Sequence, residues 1–216
     1  MIEIKLINNP QELQQVFRLR YAVYIEELGA EMEFADHERK ELREPWDETG
    51  DNLGAWINGE LAGCIRINFG GKSDLSEYWD FFDPIVADPY ADCPLESISV
   101  SSKLAVHRRH RGVTLAIRLA QANYIQMQEN KSRLNYLTCR PNLAEMYRKL
   151  GFESCAPAFH HHEAGWMQPM VLVVQDHDYL RQIKSPFAEI CARYPINQEH
   201  ARELRAAYAC ERAMCA

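Results

Sequence analysis

Arg108, Arg109 and Arg111 crowd one short turn. The apolar run Leu104-Ala105-Val106 precedes them and an amphipathic stretch starting near Thr114 follows, so KLAVHRRHRGVTLAIRL reads as strand, basic turn, helix. A helix N-terminus offers backbone N–H groups with no partner inside the helix, together with the positive end of the dipole. Guanidinium groups beside such an end would hold an anion such as a phosphate. Further along, Asn142 and Tyr147 stand in RPNLAEMYRKLGF, a helix that Gly151 should terminate. They bring an amide and a phenol, a hydrogen-bond donor and a weak acid.

A second set of chemistry-bearing residues lies in the amino-terminal half. Arg20 and Arg66 supply cations, and Asp47 and Asp51 supply carboxylates. Together they could take both ends of a zwitterion, with a cation for its carboxylate and a carboxylate for its ammonium. The competing expectation is that the four pair with one another and brace a loop. Tyr21 and Tyr24 recur at helical spacing and are expected in the core. The run His160-His161-His162-Glu163 lacks a second cluster with ligand spacing, so it is expected to be a loop between strands rather than a metal site. Cys139 has no His or acid placed by motif to activate it, and a covalent acyl-enzyme is not expected.

The elements that must position these residues are legible from periodicity and punctuation. IEIKLI is a short alternating strand, and Asn9-Pro10 opens a helix whose buried face runs from Leu13 to Leu28 before Gly29 ends it. Glu31 to Pro45 is charged and aperiodic and is expected to be a mobile loop. Asn58-Gly59 joins two apolar runs as a hairpin. Asp74–Phe82 is expected as a short helix and Asp83–Pro94 as an irregular excursion. Strand (Ile98–Val106), helix (Thr114–Glu129), strand (Leu134–Arg140) and helix (Leu143–Leu150) follow. Final strands are expected near Phe152–Phe159 and Pro169–Gln175, then a helical tail broken at Pro186 and Pro195. This order implies an α/β (α+β) fold, one mixed, mostly antiparallel sheet with helices on both faces. The expected organisation is a domain over residues 1–176 and a helical extension over 177–216.

Composition bounds the reading. With 216 residues, 47% of them hydrophobic, the chain can bury a core without staples. A net charge of -7 argues against general nucleic-acid binding. No apolar run approaches the roughly 18 residues of a membrane span, and the start lacks the features of a signal peptide. Seven cysteines, an odd number without a CxxC pair, suggest a reducing cytoplasm.

Val106–Ala116 resembles the acyl-coenzyme A binding segment of the GNAT superfamily of N-acyltransferases, with Arg111, Thr114 and Ala116 in the places of its glycine-rich pattern. Thr114 departs from the usual Gly. Asn142 and Tyr147, followed by LGF, resemble the superfamily's next motif, whose Tyr often protonates the departing thiolate. A phosphate-holding turn joined to a phenol points to acyl transfer from a thioester. FRLRYAVYIEELG, the pair Asp47 and Asp51, Arg66, and Ser102-Lys103-Leu104-Ala105-Val106 resemble one GNAT branch. It contains the N-acyl amino acid synthases and the acyl-homoserine-lactone synthases. Lys103 replaces that branch's Arg, and Val100 stands where an acid often precedes the motif, with Glu96 nearby but out of register. The departure at Val100 points away from homoserine-lactone chemistry.

What the resemblance implies is an N-acyltransferase moving an acyl group, long-chain rather than acetyl, to the amine of an amino acid. The donor would be acyl-coenzyme A or an acyl carrier protein, consumed as substrate and not a resident cofactor. Leu104, Val106, Arg108, Arg109, Arg111, Gly112, Val113, Thr114, Ala116 and Asn142 would hold it. Arg20, Asp47 and Arg66 would bind the acceptor, Tyr147 would be the general acid, and Asp47, Asp51 or Glu96 the base. Two rival expectations are an acetyl-coenzyme A N-acetyltransferase and a non-catalytic module that binds acyl thioesters or acyl carrier protein.

Overall fold

A computed structural model describes residues 1–75 and 93–214. The chain opens with β1 (Ile2–Leu6) and helix α1 (Pro10–Arg20). The Asn9 side chain accepts a hydrogen bond from the Glu12 N–H at 2.8 Å, and Pro10 sits in the first turn, where its missing N–H costs nothing. The apolar spacing predicts one α-helix as far as Gly29. Instead the chain widens into a π-helix over Tyr21–Glu27, and Gly29 then turns it at φ 64°. A wider turn still places apolar residues every three or four positions, so a 3.6-residue template does not separate the two.

The segment Glu31–Pro45 also departs from expectation. It folds as a small hairpin of β2 (Ala35–Asp36) and β3 (Glu41–Leu42), with Leu42 fully buried. Asp36 Oδ1 accepts from the N–H groups of Glu38 (3.0 Å) and Arg39 (2.8 Å), which pins the turn. Strands of two residues are too short to leave a readable alternation.

Two compact units divide the chain. The first comprises residues 1–68, 101–123 and 162–164. Its strands β4 (Asp51–Ile57) and β5 (Glu60–Phe69) meet at Asn58 and Gly59, whose φ values of 53° and 84° are the two positive angles a type I′ turn needs. β1 runs antiparallel to β4, from Ile2 opposite Ile57 to Leu6 opposite Leu53. The strand order is β1-β4-β5-β6, where β6 spans Ile98–Val106. Every residue of β5 from Ala62 onward is buried, as in a strand covered on both faces. Leu53, Ala55, Ala62 and Ile65 pack with Leu115 and Leu119 of helix α2 (Val113–Glu129). Val16, Phe17, Leu19 and Val23 pack with Cys64 and Ala105.

The second unit comprises residues 69–100, 124–161 and 165–216. Here the order is β6-β7-β10-β8, with β7 at Leu134–Cys139, β8 at Glu153–Ser154 and β10 at Gly165–Val173. β6 and β7 are parallel through Ile98 opposite Leu134, and β10 is antiparallel to β7. The strand expected over Phe152–Phe159 is two pieces, β8 and β9 (Phe159–His161), and β10 starts earlier than expected. His160 and His161 therefore lie in a strand paired with β10, not in a loop. Among the described residues no group of three His, Cys, Asp or Glu is arranged to hold a metal ion. Likewise no helix among them is long and apolar enough to cross a membrane.

Helix α3 (Ala144–Leu150) ends at Gly151, where φ is 117° and an added Cβ would come within 2.5 Å of Leu180. Both the angle and the close approach require glycine. Residues past 176 form α4 (His177–Gln182), α5 (Ala188–Cys191) and α6 (Gln198–Met214). They pack within the second unit. Phe187 stacks on Tyr124 with centroids 4.4 Å apart, the Ser185 hydroxyl donates to the Leu150 carbonyl at 2.6 Å, and Arg205 pairs with Glu153 at 3.0 Å. The helix and excursion expected over Asp74–Phe82 and Asp83–Pro94 fall largely outside the described residues.

Candidate functional site

Three of the charged residues singled out by the sequence meet in a buried cluster of the first unit. Arg20 leaves the last turn of α1, Arg66 sits on β5, and Asp47 closes a 3-10 turn at Pro45–Asp47. The Arg20 guanidinium donates to Asp47 at 2.7 Å and also to the Asn52 side chain, and Arg66 lies 3.1 Å from the same carboxylate oxygen. Two further residues complete the cluster. Glu44 pairs with Arg66 at 2.7 Å and with Lys103 at 2.6 Å, and Arg66 Nε donates to the Ser102 hydroxyl at 3.1 Å. Arg20, Arg66 and Asp47 expose 1% or less of their side chains, and Lys103 exposes 13%.

The ion pairs of the cluster join Arg20, Arg66 and Lys103 to Asp47 and Glu44. These neighbours account for its electrostatics. Burial alone would raise the Asp47 carboxyl, but Arg20 and then Arg66 outweigh it and bring its pKa down to about 2. Burial opposes ionisation of Glu44 too, and Lys103 and Arg66 overcome it, so Glu44 also lies below the usual carboxylate range. Burial lowers the pKa of Lys103, Glu44 works against that, and Arg66 adds to it. The backbone at Lys103 adopts φ 54° inside β6, a left-handed conformation that costs energy for a side-chain-bearing residue and re-aims the strand there.

Asp47 therefore stabilises the fold above its ordinary pKa of 3.8, and that contribution is lost as pH falls through about 2. The stability difference between the wild type and Asp47→Asn, measured by urea unfolding, should be about 3–5 kcal/mol at neutral pH, since the substitution strands buried guanidinium groups. It should shrink by about 2 kcal/mol between pH 5 and pH 2.

Beside these residues the first unit carries an open cleft of about 430 Å³. Ile25, Ala30 and Met32 give it an apolar wall, and Glu31, Glu33 and His37 give it polar groups. Lys103 Nζ lies 4.0 Å from the Met32 sulfur. The His37 ring is tied to the Tyr21 hydroxyl, with Nδ1 2.9 Å from the phenol oxygen.

The basic turn forms as expected. A 3-10 turn covers Arg108–His110, and α2 begins at Val113, one residue before the expected start. Arg108 and Arg109 are exposed, and a Cβ added at Gly112 would meet nothing within 4 Å, so open space lies over the turn. Burial, then Arg109, His110 and Arg108, hold the His107 imidazole below its ordinary pKa, a sign of local positive charge. Arg111 is ion-paired with Glu27 of the π-helix. Leu104 lends its carbonyl to the Tyr24 hydroxyl at 2.9 Å, and Val106 and Ala116 are half-buried.

Tyr147, Asn142 and Glu96 belong to the second unit, and Asp51 to the first. Tyr147 lies on α3, edge-on to Phe152 with centroids 5.7 Å apart, and Asn142 is exposed in the 3-10 turn Pro141–Leu143. Burial and then the Cys139 thiol raise the Tyr147 phenol above its ordinary pKa, so it carries its proton throughout the physiological range. The buried Cys139 thiol is itself pushed up to about 11 by burial, and its sulfur rests 3.6 Å from that of Met170. A thiol held in its protonated form is a poor nucleophile. Glu96 is exposed on the 3-10 turn Leu95–Ser97, and Asp51 opens β4 and is half-buried.

Sequence reasoning missed Glu44, placing it in a mobile loop, and did not connect Lys103 to the acceptor residues. It also passed over His37. Only charge type could have flagged them, because their partners lie far along the chain.

A profile of the family described as N-acyl amino acid synthase FeeM matches residues 15–176. Among solved structures, FeeM, an N-acyl amino acid synthase from uncultured soil microbes, superposes with a TM-score of 0.68 at 14% identity, covering 88% of this chain and 98% of that one. The coenzyme A-dependent acyl-homoserine lactone synthase BjaI superposes with a TM-score of 0.67 at 17% identity, covering 86% and 91%. Escherichia coli ElaA gives 0.57 at 20% identity, covering 80% and 99%. No curated protein sequence matches significantly. The sheet, its strand order and the matched profile agree with the resemblance read from the motifs, and the chain belongs to the FeeM family of N-acyl amino acid synthases, enzymes that acylate an amine.

Proposed function

We propose that the protein transfers a long acyl chain from a phosphopantetheine thioester, carried on coenzyme A or an acyl carrier protein, to the α-amine of an amino acid. The observation that carries the acceptor assignment is a buried lysine at the edge of the cleft. Lys103 pairs with Glu44 at 2.6 Å, and its Nζ reaches toward the cleft at Met32. An acceptor's carboxylate would give Lys103 a second negative partner. Arg20 and Arg66, expected to grip it directly, would act instead by holding Asp47 and Glu44 in place.

The donor's phosphates would meet Arg108, Arg109, Arg111 (which also pairs with Glu27) and the N–H groups at the start of α2, with the pantetheine arm along Leu104–Val106. Tyr147 would give its proton to the departing sulfur. The high pKa of Cys139 supports direct transfer rather than an acyl-enzyme. Cys64, Cys93, Cys139, Cys155 and Cys191 are buried and form no disulfide, in keeping with work in a reducing cytoplasm.

Incubating the purified enzyme with decanoyl-coenzyme A and a panel of amino acids, with product detection by mass spectrometry, tests the reading. The expected product is an N-decanoyl amino acid. Equal activity toward amines that lack a carboxylate would overturn the acceptor assignment. Arg111→Ala should weaken coenzyme A binding by about 1.5–3 kcal/mol, the scale of a charge-assisted hydrogen bond. Calorimetry that finds no change would remove Arg111 from the donor site.

A further inference from the structure

We propose that His37 is the general base that takes the proton from the acceptor amine, and that Tyr21 is the residue that positions it. The inference rests on the amino acid acylation proposed above.

Histidine 37 contributes the one imidazole among the lining residues of the cleft. Its Nδ1 lies 2.9 Å from the hydroxyl of Tyr21, and the two rings meet edge to face at 78°. Tyr21 is 6% exposed, so the phenol is an anchored partner. In the tautomer that serves as a base, Nδ1–H donates to the phenol oxygen and the lone pair of Nε2 remains for a proton. The backbone that carries the ring is also held. Asp36 accepts from Glu38 and Arg39, Lys40 pairs with Glu26 at 2.9 Å, and Glu41 accepts from Gln14 at 2.8 Å and Arg18 at 3.3 Å. Glu31 and Glu33 line the same cleft and would draw an ammonium toward it.

The buried carboxylates of the charge cluster cannot do this work. Asp47 and Glu44 are buried among cations, and groups stabilised that strongly as anions have little affinity for a proton. An imidazole nitrogen with its lone pair free can take a proton and give it back, which suits a general base.

The step balances as follows. The neutral amine nitrogen attacks the thioester carbon, the N–C bond forms and the C–S bond breaks. One N–H proton passes to Nε2 of His37. The departing thiolate takes a proton from the general acid, and both groups return to their starting states by exchange with solvent. The products are an amide and a free thiol.

The test uses the whole enzyme with decanoyl-coenzyme A and the best acceptor from the panel. His37→Ala should lower kcat by about 10²-fold, leave KM for both substrates within about threefold, and regain at least tenfold when free imidazole is added. Because His37 is exposed, the variant should keep the wild-type melting temperature, and His37→Gln serves as a second, isosteric check. Asp51→Asn and Glu96→Gln should each lose less than about fivefold. Tyr21→Phe should lower kcat by about fivefold in the wild type and not at all in His37→Ala, a non-additivity that a merely structural role would not produce. A kcat for His37→Ala within about threefold of wild type, a failure of imidazole rescue, or a hundredfold loss in Asp51→Asn or Glu96→Gln would overturn the proposal. A wild type that acylates no amino acid in the panel overturns the underlying reading instead, and that result is visible before any variant is assayed.

Discussion

Replacing Tyr147 by Phe should lower kcat by about 10²–10⁴ while coenzyme A affinity changes little. The substitution keeps the ring and its edge-on contact with Phe152, so α3 and the Gly151 cap have no reason to shift. Only the phenolic proton is lost. That proton is firmly held, because burial and the Cys139 thiol raise the phenol's pKa. A phenol that stays protonated is ready to donate at any physiological pH, but it is a weak acid toward water. It would donate as negative charge develops on the departing sulfur, and the raised pKa makes that transfer harder, so the donor and the sulfur must be closely placed. Single-turnover measurements with a preloaded donor separate chemistry from product release. A loss confined to a few-fold would reduce Tyr147 to a group that shapes the site.

Activity should climb steeply with the length of the donor's acyl chain. Each methylene removed from water contributes up to about 0.8 kcal/mol, close to fourfold in kcat/KM. The eight methylenes between acetyl and decanoyl would then be worth up to about 6 kcal/mol if all were buried. The measured gain will be smaller, because ordering the chain costs rotamer entropy. The expected curve rises from acetyl through hexanoyl to decanoyl and flattens once the apolar space is full. Best activity with acetyl-coenzyme A would make the protein an ordinary N-acetyltransferase on the same fold.

The parts of this molecule visible in the sequence are those with local causes. Asn9-Pro10, Asn58-Gly59 and Gly151 each impose one backbone conformation, and the helix cap, the hairpin and the helix stop appear where those residues stand. The basic turn was legible for the same reason, since Arg108 to Arg111 are neighbours before a helix start. The buried charge cluster was only half legible. Asp47 and Asp51 look like a pair by spacing, yet Asp47 ends a 3-10 turn and pairs with Arg20 and Arg66, while Asp51 opens a strand. Glu44 and Lys103 find each other across 59 positions, and no periodicity records such a meeting. The hairpin inside Glu31–Pro45 is held by single side chains rather than by a pattern.

The π-helix at Tyr21–Glu27 aims its own side chains. Upstream, α1 is clamped by its Asn9 cap and by Arg20 in the charge cluster. Downstream, Tyr21 holds His37, Tyr24 holds the Leu104 carbonyl, Ile25 lines the cleft and Glu27 holds Arg111. Dropping one residue would let the stretch relax to ordinary α-helix, and because a π-turn takes up more residues than an α-turn, the flanks would keep nearly the same phase while the side chains inside the stretch would point elsewhere. Residue count here thus sets where Tyr21, Tyr24, Ile25 and Glu27 point. Between Arg20 and Gly29 the chain can change letters far more easily than it can change length, and a deletion there would loosen the ties of the cleft to the basic turn while leaving each intact.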